Sequence, residues 1–228
     1  MPLPSRLHAI AQLIPPGSRV VDVGCDHGYL AVWLRQQGGC LLVIATDVAA
    51  QPLEAARRSA VRAGVTSGIS FRLADGLDAV EPDEVDTVVI AGMGGETILG
   101  ILLGAPWLTD GGHRLFLQPQ SKMPELMDFL ARNGYQVQDQ HLTEDSGRLY
   151  TILEVTAGHM ESPQGGKCYV SRKLVERGDP LLETYLAERI TKLRRVTAGL
   201  KQAGNEEKLA EAMAALHDLE KWRGAKQS

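Results

Sequence analysis

Between Arg19 and Gly158, short β-branched or apolar runs alternate with segments of helical periodicity, the pattern of βαβ units and a mostly parallel sheet. Seven strands are predicted: Arg19-Val23, Leu42-Asp47, Ile69-Leu73, Thr87-Ala91, Arg114-Gln118, Tyr135-Leu142 and Leu149-Thr156. The first helix, around Tyr29 to Gln37, stops at Gly38-Gly39, and the second, around Pro52 to Ala63, has Pro in its first turn and stops at Gly64. Another helix, Pro124 to Asn133, is closed by Gly134. Only Thr143 to Arg148 separate the last two strands, so short a link that they must run antiparallel. From about Asp179 the pattern is wholly helical, with Leu182, Leu186, Leu193, Val196 and Leu200 on one stripe, a break at Gly204-Asn205, then Leu209, Met213, Leu216 and Leu219. This pattern predicts two antiparallel helices joined by a tight turn. Arg189 falls on the stripe, so either the seam is wet or the contact shifts to Ile190.

A length of 228 residues with 44% hydrophobic positions allows one full α/β domain, residues 1–160, and a helical appendage, residues 161–228. No run approaches the roughly 18 apolar residues of a membrane span, and the amino terminus lacks the layout of a secretory signal, so a cytoplasmic protein is expected. Cys25, Cys40 and Cys168 are odd in number and widely spaced, which suggests neither a disulfide framework nor a zinc site. The net charge of −4 disfavours a nucleic-acid binder until the chain is split: residues 1–160 hold 11 Lys+Arg against 18 Asp+Glu, net −7, and residues 161–228 hold 13 against 10, net +3. A locally basic tail fits RNA, and equally a solvated, salt-bridged helix surface.

Chemistry concentrates at strand ends. Val20-Val21-Asp22-Val23-Gly24-Cys25-Asp26-His27-Gly28 leaves an apolar strand and enters a helix, the context a glycine-rich nucleotide loop requires. Gly24 and Gly28 permit the turn. An Asp at position 22 repels a pyrophosphate but suits a ligand with an amino-acid ammonium. Asp47, 19 residues past Gly28, ends the second strand, where a carboxylate can accept both hydroxyls of a ribose. Asp75-Gly76 after the third strand suits the exocyclic amine of adenine, with Ala74 leaving room for the ring. Each has an ordinary structural alternative: Asp22 a helix cap, Asp47 the start of a turn, Asp75-Gly76 a turn dipeptide. Their conjunction at three successive strand ends, where ligands of such sheets sit, points to S-adenosylmethionine. Five parallel strands ending in an antiparallel hairpin also differ from the all-parallel sheet of dehydrogenases and resemble class I methyltransferases, an analogy of fold alone.

Taken with that loop, Ala91-Gly92-Met93-Gly94-Gly95 at the end of the fourth strand makes the chain resemble the bacterial TrmK family of tRNA (adenine-N1) methyltransferases. Further matches are Ser5-Arg6-Leu7, Ile14-Pro15, Asp26-His27-Gly28-Tyr29-Leu30, Leu117-Gln118-Pro119, and Glu144-Asp145 before Tyr150-Thr151-Ile152-Leu153, so the likeness spans residues 1 to about 158. It implies a Rossmann-like class I fold with a seven-stranded doubly wound sheet, methyl transfer from S-adenosylmethionine to N1 of adenine 22 of tRNA, and a carboxy-terminal helical hairpin that assists tRNA binding. Two departures stand out. The family usually has Asn where this chain has Gln120, and the tail matches only in being helical.

On this resemblance, the cofactor shell comprises Asp22, Gly24, Cys25, Gly28, Tyr29, Leu30, Asp47, Val48, Asp75, Gly76, Ala91 and Gly92. The catalytic group comprises Asp26, His27, Met93 and Gly94. Arg6, Gly95, Gln118, Pro119 and Gln120 are assigned to the target base or its phosphate, and Arg189, Lys192 and Arg195, with Arg172, Lys173, Arg177 and Arg194 as further cations, to tRNA. No metal and no membrane are implied, and a monomer is expected. Adenine N1 already offers a lone pair, so positioning should dominate. Asp26 either stabilises the cationic product electrostatically or only binds cofactor. His27 and Tyr29 either stack on the base or serve the loop and the core. Arg6 either grips a phosphate or pairs with Asp26. The rival readings are a methyltransferase for another RNA or a small molecule, a catalytically silent RNA-binding scaffold, and a dehydrogenase.

Overall fold

The structure, a computed structural model, describes residues 3–37 and 39–225. Seven strands form one sheet: β1 Arg19–Val23, β2 Leu42–Asp47, β3 Ile69–Leu73, β4 Thr87–Met93, β5 Arg114–Pro119, β6 Tyr135–Asp145 and β7 Arg148–Ala157. Their spatial order is β3-β2-β1-β4-β5-β7-β6, with β7 antiparallel to both of its neighbours and the rest parallel. The chain therefore leaves β1 toward one edge and returns beside it as β4, which opens a crevice at the carboxyl ends of these two strands.

Period-2 alternation sorts the apolar residues of the central strands onto two covered faces. Val20, Val89 and Phe116 join Ile10 of helix α1 (Ser5–Leu13), Leu30 and Leu34 of α2 (Tyr29–Gln36), and Leu53 and Ala56 of α3 (Ala50–Arg62). Val21, Val88 and Leu115 face the other way, onto Ile98 and Leu102 of α4 (Gly95–Gly104) and Leu126 and Leu130 of α5 (Met123–Arg132). The predicted strands are all present, with β4 and β5 extended slightly into the glycine and Gln-Pro loops. The periodicity did not reveal α1, α4 or the short α6 (Arg172–Glu176). Gly38, taken with Gly39 as the stop of α2, lies outside the described residues.

The link between the last strands is shorter than predicted. Ser146 (φ 53°) and Gly147 (φ 74°) form a two-residue turn with both central residues left-handed, the geometry that matches the twist of a hairpin. Pairing of β7 with β5 ends at Leu117↔Leu153, whereas β6–β7 pairing continues to Asp145↔Arg148. The hairpin thus continues past its last pair with β5 by five residues of β7, about 17 Å of strand at ~3.4 Å per residue.

That overhang carries the tail. Leu142 and Leu149 pack against a separate cluster of Leu174, Leu182, Tyr185, Leu186, Ile190, Leu193, Ala215 and Leu219 from α6, α7 (Leu182–Ala203) and α8 (Glu206–Ala225). Gln140 on β6 fixes the approach, donating to Tyr169 O at 2.7 Å and accepting from Ser171 N at 2.6 Å. Gly204 (φ 66°) ends α7, and the Asn205 side chain caps α8 by accepting from Lys208 N at 3.1 Å. The seam keeps Leu182, Leu186 and Leu193 of the predicted stripe and takes the Ile190 alternative. Ile190 takes the buried position, Arg189 lies over the Tyr185 ring at 5.1 Å, and Val196 and Met213 face solvent.

Candidate functional site

The crevice begins with Asp22, which β1 carries inside the sheet between Ala45 and Val89. Its side chain is 5% exposed, and burial, only partly offset by a backbone N–H at Ala31 and the nearby Arg6 charge, pushes its carboxyl up to about 7. Such a group gains most from a cationic partner that restores its charge.

Past β1 the chain turns sharply. Gly24 has φ 68° and Asp26 φ 49°, and the Asp26 N–H donates to Asp47 Oδ2 at 3.2 Å. Asp47 Oδ1 accepts from Ala49 N at 3.0 Å, so one carboxylate at the end of β2 ties both loops together and keeps lone pairs for a further donor. Gly28 (φ 69°) starts α2, and a Cβ there would stand 2.7 Å from Ala56 Cβ, so glycine is what allows α2 and α3 to approach. Cys25 is buried, its N–H held by Thr46 O at 2.9 Å, and burial together with Asp22 and Asp47 pushes its thiol far up, out of nucleophilic range. Leu30 is core. His27 and Tyr29 stack on each other at 5.4 Å beside the loop.

Beside Asp47, Val48 is 72% exposed, and Leu73 at the end of β3 is 62% exposed. Large apolar side chains are thus left bare at two adjacent strand ends, a surface that suits a flat apolar ring. Gly76 O is held by the Thr46 hydroxyl at 2.9 Å, and Asp75 is exposed. Leu73 escaped the sequence reading because it reads as an ordinary strand residue. Its bareness depends on what β2 and α3 leave uncovered.

Across the switch point, β4 ends in Ala91, Gly92 and Met93. The Met93 methyl fills the place where a Gly24 Cβ would stand, so the end of its side chain covers the first glycine. Gly92 (φ 75°) faces Arg6 Nη1, 3.5 Å from its notional Cβ, and Gln120 Nε2 at 3.7 Å. Gln120 N donates to Met93 O at 2.9 Å, which registers the loop after Pro119 against β4. Gln118 is wholly buried, accepts from Arg6 Nη1 at 3.4 Å, and its Nε2 has no hydrogen-bond partner among the described residues. Arg6 does not pair with Asp26. It stands 3.9 Å from Asp145 Oδ2, while Asp26 has His27 at 3.7 Å. Gly94 borders Ser121 Oγ, and Gly95 is buried with its N–H donating to Ser121 O at 3.1 Å, so Gly95 serves the close approach of α4 rather than the open cleft.

The tail cations divide. Arg172, Lys173, Arg177 and Arg194 are engaged within the chain, by Glu176, Gln138 O, Asp139 and Glu220. Lys192 and Arg195 instead line an open depression on α7 with Ala187, Glu188 and Thr191. Among the described residues, no group of three or more His, Cys, Asp or Glu is placed to hold a metal, and no helix is long and apolar enough to cross a membrane.

Comparison with known proteins gives this geometry its context. Residues 3–153 match a methyltransferase domain family. The tRNA (adenine(22)-N(1))-methyltransferase of Bacillus subtilis is 32% identical over 164 residues, 72% of this chain and 69% of that protein. The crystal structure of the B. subtilis M1A22 tRNA methyltransferase TrmK superposes with a TM-score of 0.84 at 26% identity, covering 97% of this chain and 99% of the other. A candidate tRNA (m1A22) methyltransferase from Streptococcus pneumoniae, in complex with S-adenosyl-L-methionine, matches with a TM-score of 0.77 at 30% identity, covering 94% and 97%.

Proposed function

The chain belongs to the TrmK family of class I methyltransferases, and on that premise we propose that it methylates N1 of adenine 22 in tRNA, using S-adenosylmethionine. The observation that carries the reading is the convergence of Asp22, Asp47 and the bare Val48 and Leu73 on the same sheet edge as Gly92 and Met93.

The residues present fit the cofactor. The buried Asp22 carboxyl suits its ammonium, Asp47 its ribose hydroxyls, and Val48 and Leu73 the faces of its adenine, with Asp75 and Gly76 at the ring edge. Gly24 and Gly28 let the backbone of the loop approach, Cys25 and Leu30 pack beneath it, and Tyr29 with Ala91 and Gly92 close the sides. When bound, the cofactor supplies a methyl on a sulfonium. The N1 lone pair forms the new N–C bond as the S–C bond breaks toward sulfur, and positive charge passes to the base.

No residue must remove a proton, so the protein's work is to orient the base and exclude water. The flipped base enters beside Gly92 and Gly94, where missing side chains leave room for its Watson–Crick edge. Met93 walls the transfer point. Gln120, Gln118 and Arg6 bring polar groups toward that pocket, Pro119 fixes the turn that presents Gln120, and Gly95 holds the loop against α4. Asp26, largely exposed at the loop apex, offers its charge to the cationic product, and the His27–Tyr29 stack offers a surface to the base.

Residues 1–160 are proposed as the catalytic unit and 161–228 as the RNA-assisting unit, with Lys192 and Arg195 meeting phosphates and Arg189 holding the shape of α7. The cleft is built from one chain's own elements, which supports action as a monomer, and a tRNA substrate supports a cytoplasmic location. The test is incubation with S-adenosylmethionine and tRNA from a host lacking such an enzyme, followed by mass spectrometry of the digest. 1-Methyladenosine at position 22 is the expected product. Its absence from every tRNA ends the proposal.

A further inference from the structure

We infer that Asp145, at the tip of the β6–β7 hairpin, is a positioning residue for methyl transfer. It holds the Arg6 guanidinium against Gly92 and Gln118, so the hairpin that carries the tail also completes the wall of the base pocket. The inference rests on the function proposed above for this site.

Arg6 hangs from the first turn of α1, which is anchored through Ile10 and Ala11 on the far side of the sheet. A long arginine stem has little shape of its own and needs partners to fix its fork. Two are present, on different elements. Gln118 Oε1 at the end of β5 accepts from Nη1 at 3.4 Å, a weak bond, and Asp145 Oδ2 lies 3.9 Å from Nε. Gln118 is wholly buried, and Asp145 sits on a strand end whose backbone is in register with Arg148, its Oδ1 accepting from the Ser146 hydroxyl at 3.2 Å. Both side chains of the ion pair are mostly covered, at 28% and 18% exposure, so the attraction is screened less than on an open surface.

The guanidinium so held borders the space beside Gly92, with Nη1 3.5 Å from where a Cβ would be, in ordinary contact distance. Among the described residues, the fork without Asp145 keeps the weak Gln118 acceptor and the nearby charge of Asp22, and the wall of the pocket moves with it. Leu142 and Leu149, on the same hairpin, pack into the helical tail, so this hairpin touches both the RNA-assisting helices and the pocket.

The full chain, with Asp145→Asn, Arg6→Ala, both together, and Asp145→Glu, decides the matter. Because misplacement acts on a step governed by positioning, Asp145→Asn should lower kcat about 10-fold, leaving KM for tRNA and S-adenosylhomocysteine affinity within about twofold of the parent. The double variant should be no slower than Arg6→Ala, and Asp145→Glu should recover most of the rate. Losses that multiply, or a change confined to KM, overturn the inference. The Arg6 side-chain Nε–H resonance, identified by its absence in Arg6→Ala, should move in Asp145→Asn, and an unmoved resonance overturns the inference whatever the reaction. A parent protein that makes no 1-methyladenosine defeats the proposed function instead, and that resonance still decides whether Asp145 holds Arg6.

Discussion

Replacing Asp22 with Asn exchanges a buried carboxyl for a neutral group of the same shape, and burial at this position sets the sign of the resulting pH dependence. Folding raises the Asp22 pKa from 3.8 to about 7, mainly because burial penalises the anion. Below pH 3.8 both folded and unfolded chains hold the proton, and above 7 neither does. Between these limits the folded chain keeps a proton that the unfolded chain has lost, so stability contributed by this group is full at low pH and disappears as pH rises through about 7. At roughly 1.4 kcal/mol per pH unit the whole effect is about 4 kcal/mol, of which about 2 to 3 kcal/mol falls between pH 5 and 8. The amide of the Asp22→Asn variant does not titrate and has no such dependence. Urea unfolding of the ligand-free proteins should therefore show the variant gaining on the parent by that amount from pH 5 to 8. Binding supplies the counterpart, because an ammonium prefers the ionised carboxylate. S-adenosylhomocysteine affinity of the parent should weaken about 20-fold from pH 7.5 to 5.5, and that of the variant should be flat over the same range. A stability gap that does not change with pH, or parent affinity that tightens in acid, would refute the reasoning.

Asp47→Ala removes the acceptor of the Asp26 and Ala49 N–H groups as well as the ribose partner, and calorimetry should show S-adenosylhomocysteine affinity reduced at least about 10-fold. Gly28→Ala forces a side chain into a left-handed conformation 2.7 Å from Ala56 Cβ, and thermal unfolding should register a loss of about 2 to 4 kcal/mol. Lys192→Ala with Arg195→Ala should raise KM for tRNA at unchanged kcat and flatten the dependence of log affinity on log salt by about 1.5, since each cation contributes roughly 0.7 to 0.9 to that slope. An unchanged slope would place the RNA elsewhere.

Strand composition, the spacing of Asp22, Asp47 and Asp75, and the two glycine loops were legible along the chain because each depends on local backbone chemistry: alternation for strands, left-handed turns for Gly24, Gly28 and Gly92, and acidic residues where strands end. The sheet needed no more than that to be foreseen. Helices α1 and α4 were not legible. Helix α1 buries only Ile10 and Ala11, and Gly95 to Gly104 is apolar nearly all round, so no stripe marks a face. The stripe on α7 placed Leu182, Leu186 and Leu193 in the seam but left open whether the contact shifts to Ile190. Repeating leucines fix which residues are apolar but not the rotation of the helix, which was settled by where Leu142 and Leu149 offered contact.

What the chain determined by itself was the sheet, its carboxyl-edge loops and the family resemblance they carry. The tertiary structure alone decided that Arg6 reaches Gln118 and Asp145 rather than Asp26, that Val48 and Leu73 stand bare, and that the hairpin overhangs to carry the tail. These are contacts between segments up to 139 residues apart, set by which surfaces remain after the sheet has twisted and its helices have packed. No periodicity within one segment records them.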